Sequence, residues 1–428
     1  MRTKLKISGH FSPVATSYLD APLGYKFKKV LRYVSLYGIG RTLVKIRGQF
    51  HMQRNHAMHG DLWENASCKD PLHDCRYVAI VGCGNFGYSG IAYYLAKQSK
   101  RFLRATLDID PSRAVSLCKD YRGAYATTNL DRILDDPAVK LVYIVSNHAS
   151  HAEYAIRCIE AGKHVHIEKP HVVTRDQLNR LLLTQKMHPK SMVFLGFNRP
   201  KSGHFKKVQW ALGAQSGPIM INWFIAGHEI PADHWYFQET EGGRVLGNLC
   251  HWTDLSLEMV GVKRAFPCVI TPTSHADAKC DFGIGIRFAD GSVAGITFSV
   301  KGHLFEGVRE VLQAHRGDTL VRLWDFERTL IETVDKRYRF KTYYRDHGHE
   351  ANIVDSYESV SRNFAGSAIS ARALAATSRL FLGVKEALDT GASVTIDLDY
   401  APAADERHQG LERNISENVI KMSATTPP

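Results

Sequence analysis

The chain has 428 residues with 44% hydrophobic and 23% charged content, 33 Gly and 15 Pro, a globular profile that excludes a disordered, collagen-like or coiled-coil protein. At roughly 150 residues per domain it is too long for one core, and no stretch approaches the roughly 20 consecutive apolar residues that cross a bilayer, so a soluble protein of two domains plus extensions is expected. Of the net charge of +12, most sits at the start, where residues 1–54 hold 11 Lys/Arg and a single acid, Asp20.

From Tyr25 to Phe50 apolar residues recur at helical spacing, interrupted by Gly38 and Gly40, which reads as two short basic amphipathic helices. Such a stretch packs on the main body with its charges in water, or meets an anionic membrane face or a phosphate-bearing substrate. His51 to Cys75 is polar and unperiodic and reads as a linker, closing a 1–75 extension. Eight scattered cysteines without a C-x-x-C pair point to a reduced cytoplasm, and neither they nor the histidines show metal-ligand spacing, so no metal is expected.

At Arg76 the character changes. Strands over 77–81, 102–107, 141–145, 164–167 and 192–197 alternate with helices from Ser112 and over about 151–161, and Thr174 with Gln177 opens a further helix as a capping box. This rhythm predicts βαβ units and a parallel, doubly wound Rossmann sheet over 76–196. Beyond it, strand-like runs at 219–226, 282–288, 292–300, 310–314 and 319–324 predict an α+β domain with a large, mostly antiparallel sheet over 197–398. Ala371 to Leu388 reads as its last helix and 399–428 as a tail; the class is α/β overall.

Gly82-Cys83-Gly84-Asn85-Phe86-Gly87 follows the first strand and opens a helix, the context in which a G-x-G-x-x-G turn binds a dinucleotide. Gly82 permits the turn, Gly84 admits the pyrophosphate, Gly87 allows close helix packing, and Asn85 and Phe86 lie beside the ligand. Asp108, at the end of the second strand, is the acid expected on a ribose diol, which favours NAD, while Arg113 leaves NADP open. Asp110-Pro111 reads instead as a helix start.

The ordered set of this glycine turn, Ala161-Gly162-Lys163-His164-Val165 running into Glu168-Lys169-Pro170, and Gly242-Gly243 followed by His251-Trp252-Thr253-Asp254 resembles the glucose-fructose oxidoreductase/inositol dehydrogenase (Gfo/Idh/MocA) family over about residues 76 to 396. A narrower similarity, to members associated with surface-polysaccharide synthesis, rests on Gly196-Phe197-Asn198-Arg199, on residues 226–235 and on Asp346-His347-Gly348-His349. The resemblance implies a dehydrogenase in which Lys169 stands between nicotinamide and substrate, with Glu168 beside it, a cis Lys169–Pro170 bond, and an oligomer, dimer or tetramer, built on the second sheet. Oxidising a secondary alcohol needs a hydride acceptor on one side of the carbon and a proton acceptor on the other; Lys169 polarises the alkoxide and His251 carries the proton. Read alone, Lys169 is equally a surface lysine before a turn and His251 a satisfied core histidine.

Two positions depart from the family pattern. Most relatives carry an aspartate four residues before the histidine, where this chain has Gly247 with Asn248 beside it, so Asp254, one turn after His251, is the substitute expected. The usual threonine-proline-asparagine after the fourth strand is Ser146-Asn147-His148, expected at the cofactor. Arg199, His228, His234, Trp235 and Asn248 are the expected substrate contacts, to a sugar or nucleotide-linked sugar. No nucleic-acid motif accompanies the charge, and residues 1–54 supply a peripheral membrane contact as the alternative role of the extension. Two other functions stay open: a redox-neutral, NAD-retaining lyase or epimerase, and a nucleotide-sensing or scaffolding protein with weak catalysis.

Overall fold

The computed structural model describes residues 22–65, 75–228, 230, 233–273, 281–302 and 307–398. The tail at 399–428, residues 1–21 and the stretch 66–74 lie outside them. The first domain is a seven-stranded sheet in the order β1-β4-β3-β2-β5-β6-β7. Its strands are β1 (Leu62–Glu64), β2 (Val78–Val81), β3 (Leu103–Leu107), β4 (Tyr125–Thr127), β5 (Leu141–Ile144), β6 (His164–Ile167) and β7 (Val193–Leu195). β2, β5 and β7 are buried throughout, as parallel strands covered by helices on both faces must be.

The N-terminal helix α1 (Leu23–His51) precedes this sheet. The crossovers then carry a π turn (Gly87–Ala92) running into α2 (Tyr93–Gln98), then α3 (Pro111–Asp120), α4 (Asp131–Leu134), α5 (His151–Glu160) and α6 (Arg175–Met187). The expected starts hold. Asp110 accepts from the Ser112 amide with Pro111 in the first turn, and Thr174 accepts from the Gln177 amide. All neighbouring pairs are parallel except β1, which runs antiparallel to β4. The stretch read as a linker therefore contributes an edge strand to the Rossmann sheet, a three-residue element too short to show alternation.

The second domain holds nine strands in the order β15-β14-β13-β12-β8-β11-β10-β9-β16. They are β8 (Met220–His228), β9 (Cys268–Pro272), β10 (Phe282–Arg287), β11 (Val293–Gly302), β12 (Arg309–Arg316), β13 (Thr319–Trp324), β14 (Arg328–Glu332), β15 (Arg337–Lys341) and β16 (Val394–Ile396). Among the described residues only β8 and β11 of this sheet pair in parallel. β8 alternates exposed and buried, so its inner residues Ile221, Trp223 and Ile225 join the core while Met220 and Phe224 face outward. The inner face packs on α7 (Gly203–Gly213), α8 (Cys250–Val260), α9 (Val262–Ala265) and α11 (Ala371–Thr390), while α10 (His349–Ser361) lies against α2 of the first domain.

The basic N-terminal stretch is two helical arms joined at Gly38, whose φ of 82° breaks the helix where the sequence placed an interruption. It packs on both domains. At the break the Leu36 carbonyl accepts from the Arg345 amide at 2.9 Å. At its end the His51 ring is buried, 2.7 Å from the Cys83 carbonyl and 2.8 Å from Ser116 Oγ, and stacked on Tyr88. Leu23, Phe27 and Leu31 remain exposed on the first arm. Among the described residues no helix is long and apolar enough to cross a membrane.

Candidate active site

The glycine turn leaves β2 with Gly82 at φ 95°, and a Cβ there would stand 2.5 Å from the Ser146 amide nitrogen. Only glycine fits this crossing of two strand ends. A Cβ on Gly84 would meet nothing within 4 Å, so its outer side is open for a pyrophosphate to approach. Asp108, at the end of β3, accepts from the Cys83 amide at 2.7 Å and the Asp110 amide at 2.9 Å, which fixes a carboxylate beside the turn. This open turn with an acid at the strand end fits an adenine dinucleotide.

Ser146, Asn147 and His148 follow β5 and are anchored by a residue that sequence reasoning did not single out. Glu241 accepts from Asn147 Nδ2 at 2.6 Å and from the Ala149 amide at 3.2 Å, and its carbonyl lies 2.9 Å from His148 Nδ1. Glu241 adjoins the Gly242-Gly243 pair, the one signal that could have marked it. Burial, then the positive Lys169, push the His148 imidazole down to about 2, so it is neutral. Ser146 Oγ lies 2.7 Å from Ser150 Oγ.

Lys169 follows β6, and its bond to Pro170 is cis. Its Nζ donates to the Gly247 carbonyl at 2.7 Å, one turn before His251 on α8. Burial works against the ammonium, yet Tyr236, Cys250 and Glu168 hold its pKa above the ordinary lysine value. Glu168, buried beside it, is raised by desolvation to about 7. The His251 imidazole is held well below its usual value by burial, then by the charges of Arg199 and Lys169. Among the described residues its buried Nδ1 has no hydrogen-bond partner, nor has Oδ1 of Asn248. Two orphaned polar atoms beside Lys169 mark a place for a polar ligand.

Gly247 has a physical reason. A Cβ there would lie 2.6 Å from Tyr236 and 2.7 Å from His148, so these two rings fill the space that a longer side chain would need. Tyr236 belongs to a short turn (Trp235–Phe237) in which His234 Nδ1 accepts from the Tyr236 amide at 3.2 Å, while Trp235 sits 4.8 Å from the His148 ring. His234 and Trp235 thus join Tyr236 in an aromatic cluster against His148. His228 ends β8, its Nδ1 without a partner among the described residues and its pKa lowered to about 4 by burial and Arg244.

Two expected site residues are turned elsewhere. Asp254 accepts from Thr377 Oγ1 of α11 at 2.8 Å, so this carboxylate ties α8 to α11 and does not stand in for the missing acid. Arg199 forms a buried fork on Glu310, with contacts of 2.9 and 3.1 Å, and lies over Trp252 at 5.0 Å. Trp252 Nε1 donates to the same carboxylate at 2.8 Å and His347 Nε2 lies 3.1 Å from it. Burial alone would raise Glu310, but Arg199 and His347 hold it down to about 2. Arg199 is thereby engaged by the protein, a partnership between positions 199 and 310 that no spacing reveals.

Residues 76–197 match the model of the Gfo/Idh/MocA oxidoreductase family, NAD-binding Rossmann fold. Over this segment, less than a third of the chain, the sequence is similar to that family. Inositol 2-dehydrogenase of Ralstonia nicotianae is 27% identical over 148 residues, 34% of this chain and 44% of the relative. The uncharacterized oxidoreductase YrbE of Bacillus subtilis is 26% identical over 184 residues, 42% of this chain and 53% of the relative. The chain thus spans about half or less of the length of these curated relatives. Levoglucosan dehydrogenase in complex with NADH and levoglucosan shares the fold at a TM-score of 0.63 and 18% identity, covering 75% of this chain and 99% of that one. A putative myo-inositol dehydrogenase from Sinorhizobium meliloti does so at 0.62 and 20% identity, over 75% and 99%.

Proposed function

We propose that the protein is an NAD(P)-dependent dehydrogenase that moves a hydride between the cofactor and a secondary hydroxyl of a sugar, a nucleotide-linked sugar of surface-polysaccharide synthesis being the substrate class. The observation that carries this reading is the Lys169 ammonium bonded one turn before His251, beside the orphaned Asn248 and His251 atoms. Gly82, Gly84, Asn85, Phe86, Gly87 and Asp108 would hold the adenine half of the dinucleotide, with Ser146, Asn147, His148, Glu168 and Lys169 nearer the nicotinamide. The bound cofactor supplies the hydride acceptor. Lys169 stabilises the alkoxide, and the neutral His251 ring takes the hydroxyl proton. Exposed Met220, Phe224 and Val293 on the outer face of the second sheet support assembly of copies through that face.

The test is NADH formation across polyols, free sugars and nucleotide-linked sugars, with Lys169→Ala as control. Turnover that Lys169→Ala abolishes while NADH still binds supports the reading; turnover unchanged by it ends the reading. One observation favours a second reading, a nucleotide-binding protein with weak catalysis: His251 is a poor proton acceptor among cationic neighbours, with glycine where an orienting acid would stand. That reading requires NADH binding with no turnover of any tested substrate by the unaltered chain.

A further inference from the structure

Behind the glycine turn, α1 closes over a cavity of about 630 Å³ that borders the proposed dinucleotide site at Phe86 but is lined by neither Lys169 nor His251. Its floor is the outer side of the helix that follows the turn, with Phe86, Tyr93 and Tyr94; its roof is the kinked α1, with Tyr37, Arg41 and Lys45. The acids at its wall are committed. Asp346 accepts from the Gly348 amide at 2.8 Å, and Glu350 holds Lys97. Arg345 is likewise bound to Glu327 at 2.8 Å.

Among the described residues two cations of the wall have no ion pair. Arg41 rests on the rings of Tyr93 and Tyr94, 5.5 and 4.8 Å from their centres, with a buried Nη1 that has no acceptor. Lys45, one turn further along the same helix face, has no ion pair among the described residues, and burial with the charge of Arg41 pulls its ammonium down to about 7. Like charges one turn apart repel, and more so when half-enclosed, so an anion between them relieves both. A guanidinium grips a phosphate through two parallel hydrogen bonds, and tyrosine faces stack on a heteroaromatic base. The volume falls within the roughly 300–1,000 Å³ of small-molecule sites.

We propose that this cavity binds a nucleoside diphosphate group, with its phosphates on Arg41 and Lys45 and its base among the tyrosine rings. The site is assembled by α1, which lies outside the matched Rossmann segment, and it stands apart from the hydride-transfer reading. The group is either the handle of a nucleotide-linked substrate or a free nucleotide acting as effector, and the same protein tells these apart.

The experiment is calorimetric titration of the full chain, saturated with NADH so that the glycine turn is occupied, with UDP, dTDP, GDP, ADP and inorganic pyrophosphate. At least one nucleoside diphosphate binds, and Arg41→Gln and Lys45→Gln each weaken it about tenfold or more. Thermal melting and NADH affinity stay unchanged in both variants, which separates failure of this site from failure of folding or of dinucleotide binding. Competition by a nucleotide sugar, with a raised KM and unchanged kcat in Arg41→Gln, identifies the substrate handle; nucleotide binding that no nucleotide sugar displaces identifies an effector. The proposal is overturned if no nucleoside diphosphate binds up to about 1 mM, if both variants bind as the unaltered chain does, or if pyrophosphate binds as tightly as the nucleotides.

Discussion

Arg199→Ala separates a substrate contact from a structural ion pair. The substitution removes a fork that holds Glu310, a carboxylate with a wholly buried side chain, and leaves it with Trp252 Nε1 and His347. The Glu310 pKa is lowered from 4.5 to about 2, which at about 1.4 kcal/mol per unit corresponds to roughly 3 kcal/mol of native-state stabilisation of the charge. That lies at the lower end of the roughly 3–5 kcal/mol lost when one partner of a buried pair is deleted. The loss translates into a fall of roughly 10 °C in melting temperature, read by circular dichroism of the apo chain. Because the carboxyl is held below its unfolded value, this contribution is complete above the unfolded pKa and disappears as pH falls through about 2. The paired replacement Arg199→Met with Glu310→Leu recovers most of the stability, since no charge is stranded. A melting temperature unchanged in Arg199→Ala, together with a large rise in substrate KM, would refute this argument and restore Arg199 to the substrate.

Three further outcomes follow from the same geometry. Gly84→Ala lowers NADH affinity at least about tenfold while leaving apo stability within about 0.5 kcal/mol, because the added methyl meets no protein atom within 4 Å and can only oppose the ligand; fluorescence titration and melting check the two halves. Gly247→Asp, which supplies the acid that the family resemblance leads one to expect there, destabilises the chain by about 1–3 kcal/mol and gives no gain in kcat, since its Cβ would stand 2.6 Å from Tyr236. On acidification, the buried rings of His151, His166 and His171, lowered to about 4, 3 and 3 chiefly by desolvation, remain neutral in the fold but charge near 6.5 when unfolded. Their folded pKa values lie below the unfolded one, so stability is full above pH 6.5 and falls by about 1 kcal/mol per unit per histidine down to those values; urea midpoints between pH 7 and 5 measure it, and a flat profile refutes it.

The parts of this fold legible in sequence are those whose local pattern and tertiary role coincide. β2 and β5 are unbroken apolar runs because both faces are buried, the glycine turn is demanded by a strand crossing, and Asp110-Pro111 is a helix start in any context. Elements legible only through a partner stayed hidden. β1 exists because β4 offers it an edge, and β16 because β9 does; neither has the length to show its own periodicity.

The candidate site divides along the same line. Lys169 and His251 could be named because the family resemblance carries them, and Lys169 Nζ is bonded to the carbonyl one helical turn before His251. Asp254 and Arg199 follow the same motifs in sequence yet face Thr377 and Glu310, partners more than 100 positions away. Spacing reports which residues share a helix face, but not whether that face meets the cleft or the core. Gly247 shows the converse. Read alone, it is a lost acid; set against Tyr236 and His148, it is the residue size that two neighbouring rings leave room for. A departure from a family pattern therefore has to be judged against the side chains that occupy the vacated volume, and here those side chains are the rings of Tyr236 and His148.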